Sequence, residues 1–460
     1  MVSTSPVSHT SIKLVLSDLH LADGSSVLEC FGERQQAAFE GLIAATLPAT
    51  GSQETPLGQS DNLELIINGD CFDFLVVTPY SADGVVEVPT ALQKLEKIIA
   101  AHQDFFSTLR TFVEAKGRII TFLAGNHDID LCFAEVRERI CAAITDQATD
   151  ERVRFCLARF YRPLPDIYIE HGNHYDFWNH RTMGLWDEQG QPVTLAPRTI
   201  TLSPGSRYFQ LATCAVSIAY PYFDHFEPSI NASRQIAMLA LLDPRLVVRT
   251  AHDTMQLLSY PRRALAKLSL KDRRNPVRLF EEAIQDFAAF QTDIYEQEKD
   301  WVPLYPEEGQ ISQETIMEVM AIREALTLPA EEAFAALCTS SPYHMGEDVA
   351  LGMQRVLKQD ASLRYAIAGH THMMRIEPGE SRNQVYLNTA SWTDRYALPT
   401  PQEVTPSLIA WLRNPDWQHN PLRDLTCPVF ALIMATDGGP SSASLCQWEG
   451  ARHGYYRVLA

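Results

Sequence analysis

Eight short apolar runs, five of them closed by clusters of Gly, Asp, Asn and His, constrain this chain more than any other feature. Residues of β-strand character occupy Ile12–Ser17, Leu63–Asn68, Arg118–Ala124 and Asp166–Glu170, then Arg364–Ala368, Gln384–Leu387, Pro428–Ala435 and Ser444–Glu449. Between the second and third runs, Leu92, Leu95, Ile98, Ile99, Phe106, Leu109, Phe112 and Val113 recur at helical spacing. They predict one amphipathic helix, closed by Gly117. Strands alternating with helices predict an α/β fold. Asp437-Gly438-Gly439 predicts a hairpin turn between the last two strands.

The pattern changes after about Asn179, where helical periodicity and prolines take over until about Ser341. Val277–Glu298 and Ser312–Leu326 read as helices, and Gly346–Lys358 as a helix leading back into strand material. The expected organisation is a core in two parts, residues 1–179 and 342–460, interrupted by a helical insertion over 180–341. An insertion of about 160 residues is a full domain in size. Connections this long are often functional, so it is expected to act as a cap that selects substrate. Its aromatic residues Tyr208, Phe209, Tyr220, Tyr222, Phe223 and Phe226 either line a pocket for a lipid-like tail or form the insertion's own core.

Composition narrows the class. With 46% apolar and 21% charged residues over 460 positions, the chain is globular rather than disordered. A net charge of −19 argues against extended nucleic acid as a partner. The best local exception is Arg262–Arg274, with Arg262, Arg263, Lys267, Lys271, Arg273 and Arg274, which reads first as a solvated helix face. The nine cysteines contain no CxxC pair, which predicts reduced thiols and a cytoplasmic location. The polar start predicts no signal peptide. The most apolar central stretch, Tyr208–Phe223, is broken by polar residues and Pro221 and falls short of a membrane span.

The chemistry sits at the strand ends. Asp18-Leu19-His20, Gly69-Asp70-Cys71-Phe72-Asp73, Gly125-Asn126-His127-Asp128, His171-Gly172 and Gly369-His370-Thr371-His372 each follow a strand-like run. Asp, Asn and His are ligand types for divalent transition metals. Ligands of α/β sheets collect outside the carboxyl ends of the strands, so five such ends can converge on one crevice. Each motif alone is a weak signal; the ordered set of five is a strong one.

These motifs resemble the pattern D-x-H, GD-x-x-D, GNH-D/E, H and G-H-x-H of the calcineurin-like metallophosphoesterases, over about Lys13–Asp176 and Tyr365–Glu449. The resemblance implies a β-sandwich flanked by helices, with a mostly helical insertion outside its reach. It implies two divalent metal ions, Mn²⁺ foremost and Fe, Zn or Mg as alternatives. One would be held by Asp18, His20, Asp70 and His372, the other by Asp70, Asn126, His171 and His370, with Asp70 shared. The activity it implies is hydrolysis of a phosphate ester, phosphodiester or pyrophosphate by metal-activated water. His127 would sit over the phosphate and serve the leaving oxygen, and Asp73 would hold His127 in its working tautomer. Asn126, His127 and His174 are the expected substrate contacts.

Two departures narrow the substrate. Phe74 stands where phosphoprotein phosphatases carry arginine, and Asp128 replaces Glu after GNH. DLHL and GDCFDF look more like the bacterial branch containing UDP-diacylglucosamine pyrophosphohydrolases, which usually carry arginine where His127 stands. The expected partner is therefore a small phosphorylated molecule, lipid-like or nucleotide-linked, with peripheral membrane contact left open. A nuclease of the same fold and a scaffold that has lost its metals are the alternatives. A decayed scaffold should have lost a ligand, and none is lost here.

Other residues keep two readings. His174, Asp176 and His180 reach the substrate or its surroundings, or shape a loop. Asn388 and Ser391 line the site or brace it. His102 reads as a partly buried histidine within a helix, and Cys71 as either an oxidation-sensitive thiol or a small core residue.

Overall fold

The computed structural model describes residues 9–25, 28–48, 57–58, 60–81, 83–176, 178–180, 185–187, 189–228, 230, 232–257, 275–297, 313–339, 346–436, 439–450 and 455–459. They form a mixed α/β protein in two compact units. The first contains Met1–Ser206, Gly346–Thr393 and Thr426–Ala460; the second contains Arg207–Met345 and Asp394–Leu425.

The strands, in chain order, are β1 (His9–Leu16), β2 (Leu63–Asn68), β3 (Val85–Glu87), β4 (Arg118–Leu123), β5 (Val153–Cys156), β6 (Phe160–Leu164), β7 (Ile167–Glu170), β8 (Thr199–Thr201), β9 (Phe226–Glu227), β10 (Tyr365–Ala368), β11 (Met374–Pro378), β12 (Val385–Thr389), β13 (Tyr396–Ala397), β14 (Val429–Thr436), β15 (Ser442–Gly450) and β16 (Tyr455–Val458). A seven-stranded sheet runs β16-β15-β14-β1-β2-β4-β5, and a five-stranded sheet runs β11-β12-β10-β7-β6. Strands β1, β2, β4 and β5 are mutually parallel, as are β7, β10 and β12. The outer pairs are antiparallel.

Side-chain alternation joins the two sheets. Val429, Ala431 and Ile433 of β14 point to the same core as Ile167 and Ile169 of β7, Ile367 of β10 and Leu387 of β12. The intervening residues Tyr168, Ala366, Ala368 and Tyr386 face the other way and pack on the helix Glu347–Gln359 through Val349, Met353 and Leu357. This two-residue period is what a strand covered on both faces requires. On the other sheet, helices α1 (Glu33–Thr46), α2 (Val88–Ala101), α3 (Gln103–Glu114) and α4 (Ala134–Thr145) supply buried Phe39, Leu95, Phe105, Phe112 and Ile140. A Cβ on Gly41 of α1 would lie 3.0 Å from the Trp448 ring, so helix and strand β15 meet closely there.

The eight expected strands are present, with no end displaced by more than three residues. The expected single helix over Leu92–Val113 is two: α2 ends and α3 begins at His102, whose backbone (φ −116°, ψ 43°) leaves the helical region. His102 is buried, and its Nε2 lies 3.0 Å from Glu29 Oε2. The hairpin between β14 and β15 is present, but Asp437 and Gly438 lie outside the described residues.

The second unit is largely helical, with helices at Ala232–Leu242, Pro244–Leu257, Pro276–Gln297, Gln313–Ala325 and Ala330–Leu337. It also takes in Asp394–Leu425, which the sequence reading assigned to the core's second part, and it begins at Arg207 rather than residue 180. Pairing of β13 with β9 and the Arg395–Glu227 ion pair (2.7 Å) hold Asp394–Leu425 there. Tyr220, Tyr222, Phe223 and Phe226 are buried in this unit's own core. The basic run Arg262–Arg274 lies outside the described residues. Among the described residues, no helix is long and apolar enough to cross a membrane.

Candidate metal centre

Parallel strands place their carboxyl ends on one edge of a sheet, and that is where the candidate ligands gather. Asp18 and His20 follow β1, Asp70 and Asp73 follow β2, and Asn126 and His127 follow β4. His171 follows β7, and His370 and His372 follow β10. All of them belong to the first unit. Among the described residues, three overlapping groups bring potential ligand atoms within 4.8 Å of one another: Asp18, His20 and His372; His20, Asp70 and His127; Asp70, His171 and His370. The last group joins residues from both sheets through Asp70.

The distances show how tight the cluster is. His20 Nε2 lies 3.0 Å from His372 Nε2, which is 3.3 Å from Asp18 Oδ1. His171 Nε2 lies 3.1 Å from Asp70 Oδ2, and His20 Nε2 is 3.9 Å from the same oxygen. The side chains of Asp18, Asp70 and His171 are almost wholly buried. Asp18, His20, Asp70, His370 and His372 hold left-handed backbone angles, φ 51–66°. Each such non-glycine residue costs about 1–3 kcal/mol, and such strain concentrates at functional sites. The motif glycines serve close approach: a Cβ on Gly125 would collide with the Asp70 carboxylate, and one on Gly369 with that of Asp18.

The second nitrogen of three histidines is committed elsewhere. His20 Nδ1 lies 3.1 Å from Asp73 Oδ2, and His171 Nδ1 is 2.9 Å from the Asn68 carbonyl. His370 Nε2 lies 3.0 Å from Asp176 Oδ2. A carboxylate or carbonyl only accepts, so each committed nitrogen carries a proton and the other is the one that a metal ion would engage. Metal-ligating histidines show this arrangement.

Electrostatics favour added positive charge. Burial opposes ionisation of Asp70, but His171, His127 and His20 hold its carboxyl well below the usual range. Asp18 is lowered too, by His372 and His171 against its burial. Burial alone would lower His171, yet Asp70 raises it to about 10; His127 reaches about 9 against burial, through Asp73 and Asp70. Asn126 Oδ1 is buried without a hydrogen-bond partner, an orphan acceptor of the kind a cation satisfies. The donor set of carboxylates, imidazoles and one amide oxygen suits first-row divalent ions. The residues therefore fit a metal ion.

His127 Nδ1 lies 2.9 Å from Asp73 Oδ1, so the expected pair is formed, and the Asp73 carboxylate serves His20 as well. Burial raises the Asp73 carboxyl, but His127 and His20 outweigh it and keep it ionised. His174 is not in any of the three groups; its ring packs edge-on against Trp186 (5.0 Å), with Nδ1 3.3 Å from the His180 carbonyl. Burial pushes it down to about 3, so it stays neutral. Asn388 and Ser391 brace the site: Asn388 Nδ2 donates to the Gly369 carbonyl (2.8 Å) and the Ser391 hydroxyl to the Asp18 carbonyl (3.2 Å). Burial, with Asp128 and Asp70 nearby, pushes the Cys71 thiol well up, which suits a core residue rather than a reactive thiolate.

Sequence reasoning gave Asp128 no role beyond a departure from glutamate. Its carboxylate accepts backbone N–H groups from Gly125 (2.7 Å), Cys71 (2.8 Å) and Asp70 (3.1 Å), clamping two ligand loops together. Burial and Asp70 push it up to about 7, while those amides pull it back. An aspartate two residues after a candidate ligand, within a glycine turn, was the available signal. No family model matches the chain, and no curated protein matches it.

Proposed function

We propose that the chain is a metal-dependent phosphoesterase of the calcineurin-like metallophosphoesterase type. It would hydrolyse a phosphate ester, phosphodiester or pyrophosphate bond in a small phosphorylated substrate. The observation that supports this most is the gathering of Asp18, His20, Asp70, His171, His370 and His372 at one set of strand ends, beside the His127–Asp73 pair. Buried Asn126 completes the seven-residue set that the family pattern implies.

Asp18, His20, Asp70 and His372 would hold one divalent ion, and Asp70, Asn126, His171 and His370 a second, with Mn²⁺ the first choice. Bound there, two ions supply Lewis acidity toward phosphoryl oxygens and acidify a water. The protein's own part is proton handling and orientation. Asp73 fixes His127 through Nδ1, so the proton given to the leaving oxygen comes from Nε2. The Asp73 carboxylate beside Nδ1 works against burial to favour the protonated His127 ring. The Asp18 and Asp70 carboxylates stay ionised and buried, shaped by the Gly369 and Gly125 turns.

An activity panel on chelator-stripped protein tests the proposal, with a phosphomonoester, a phosphodiester and a nucleotide pyrophosphate. Hydrolysis that appears on adding Mn²⁺ and vanishes on chelation is expected. No turnover of any substrate with Mn²⁺, Fe²⁺, Zn²⁺ or Mg²⁺ would refute it.

A further inference from the structure

We infer that the Asp176–Asn179 turn, clamped by Ser203 and Gly205, is a positioning element that sets the tautomer of His370 and with it the second metal position. The inference rests on the metal-site reading above. It concerns residues outside every strand-end motif.

The chain of contacts begins at His370. Its Nε2 lies 3.0 Å from Asp176 Oδ2. A carboxylate accepts and cannot donate, so Nε2 bears the proton and Nδ1 carries the lone pair. His20 is arranged the opposite way, with Nδ1 on Asp73 and Nε2 turned to the cluster. The two histidines thus present different nitrogens, and Asp176 determines which one His370 presents.

Asp176 is itself held. Its Oδ1 accepts the Trp178 amide at 2.9 Å, and its Oδ2 accepts Asn179 Nδ2 at 2.6 Å. That second bond fixes the Asn179 amide, turning Oδ1 toward the Ser203 hydroxyl, which donates to it at 3.0 Å. Ser203 Oγ in turn accepts the Ser206 amide at 3.1 Å. The Asn179 carbonyl accepts Asn173 Nδ2 at 3.2 Å.

Gly205 makes the clamp fit. Its amide donates to the Trp178 carbonyl at 2.7 Å, and a Cβ there would lie 2.6 Å from Asn179 Oδ1 and 2.8 Å from the Trp178 carbonyl. No side chain can occupy that space. The Ser206 hydroxyl also lies 3.4 Å from the carbonyl of Asn126, the other loop ligand proposed for the second metal. This segment therefore touches two of the three ligands peculiar to that position, His370 and Asn126. None of the side-chain bonds of the clamp reaches Asp18, His20 or His372; the link to that position is the His370 amide, which donates to the Asp18 carboxylate at 3.0 Å. Loss of the clamp should weaken one metal position selectively.

The test uses the full chain and Mn²⁺ alone. Calorimetric titration and electron paramagnetic resonance report the number of bound ions and whether they are exchange-coupled. Nitrogen-15 histidine NMR of the metal-free chain reports the His370 tautomer. Wild type should bind two coupled ions, with His370 protonated at Nε2. Asp176→Ala should weaken one of two Mn²⁺ sites about 10–100-fold, the usual cost of losing such a partner, and give an uncoupled single-ion spectrum. It should also mix the His370 tautomers. Ser203→Ala, which leaves Asp176 in place, should do the same more mildly and guards against misfolding of the first variant. A merely structural role would lower both sites together and leave the tautomer alone.

If wild type binds two ions and both variants bind them unchanged, the inference is overturned and the metal reading stands. If wild type binds none, the metal reading fails. The tautomer then decides the positioning claim separately: an Nδ1–H His370 in wild type overturns it.

Discussion

Replacing Asp73 by Asn should cripple metal binding while leaving His127 in place, because of how four donors divide between its two oxygens. Oδ1 accepts His127 Nδ1 (2.9 Å) and the amides of Leu75 (3.2 Å) and Val76 (3.3 Å); Oδ2 accepts only His20 Nδ1 (3.1 Å). An asparagine has one oxygen to offer. Placing its NH₂ at the Oδ1 position would set it against two backbone N–H groups, at about 1–3 kcal/mol for each stranded donor. The oxygen therefore stays there and the NH₂ lands on His20 Nδ1. His20 must then accept at Nδ1 and carry its proton on Nε2, the nitrogen 3.0 Å from His372 Nε2. A protonated nitrogen cannot ligate. Loss of such an outer partner costs about 10–100-fold in metal affinity, or about 1.4–2.7 kcal/mol. Calorimetric titration of the stripped variant with Mn²⁺ measures this. Weakening confined to the position built on Asp18, His20 and His372 is expected. Affinities within twofold of wild type at both positions would refute the tautomer argument.

Two further changes probe the core and the chemistry. Glu64 is buried between the sheets and binds Lys13 (2.6 Å), Thr121 (2.7 Å) and Tyr161 (2.8 Å); Lys13 and the two hydroxyls hold its carboxyl below the usual 4.5 despite burial. Its folded pKa is depressed, so the stabilisation is present above about pH 4.5 and is lost as pH falls through the lower folded value. Glu64→Ala should cost about 3–5 kcal/mol in urea unfolding at pH 7, with the gap to wild type narrowing below pH 4.5; a gap independent of pH would contradict this. His127→Ala should keep both metals and lose about 10²–10⁴-fold in turnover of substrates with poor leaving groups, but less with an activated aryl phosphate. Equal losses on both, accompanied by metal loss, would make His127 a structural residue.

Much of the fold was legible, and the misses share a cause. The eight strands read from the sequence are interior or near-interior, where apolar runs are long. The four strands missed in the two large sheets, β5, β6, β11 and β16, are the four edges of those sheets, and the short strands β3, β8, β9 and β13 of the two small sheets were missed too. Edges are partly exposed and tolerate Pro163 and Pro378, so their pattern is mixed. The ligand candidates were legible because residue type and strand-end position together carry the signal. Asp128 was not, and Asp176 was read only as reaching the site's surroundings or shaping a loop, because an acceptor's role depends on which amides and rings the fold brings to it. The left-handed backbone at Asp18 and His372 was equally hidden, since neither residue type demands it. Asp394–Leu425 was misassigned because its partner strand, β9, lies far away in the sequence.

Anomalous diffraction from crystals grown with Mn²⁺ tests the central claim most directly. Two peaks are predicted, about 3.5–4 Å apart, one beside Asp18, His20 and His372 and one beside Asn126, His171 and His370, with Asp70 touching both. An anomalous map with no peak at this cluster, from crystals saturated with Mn²⁺, would contradict the account.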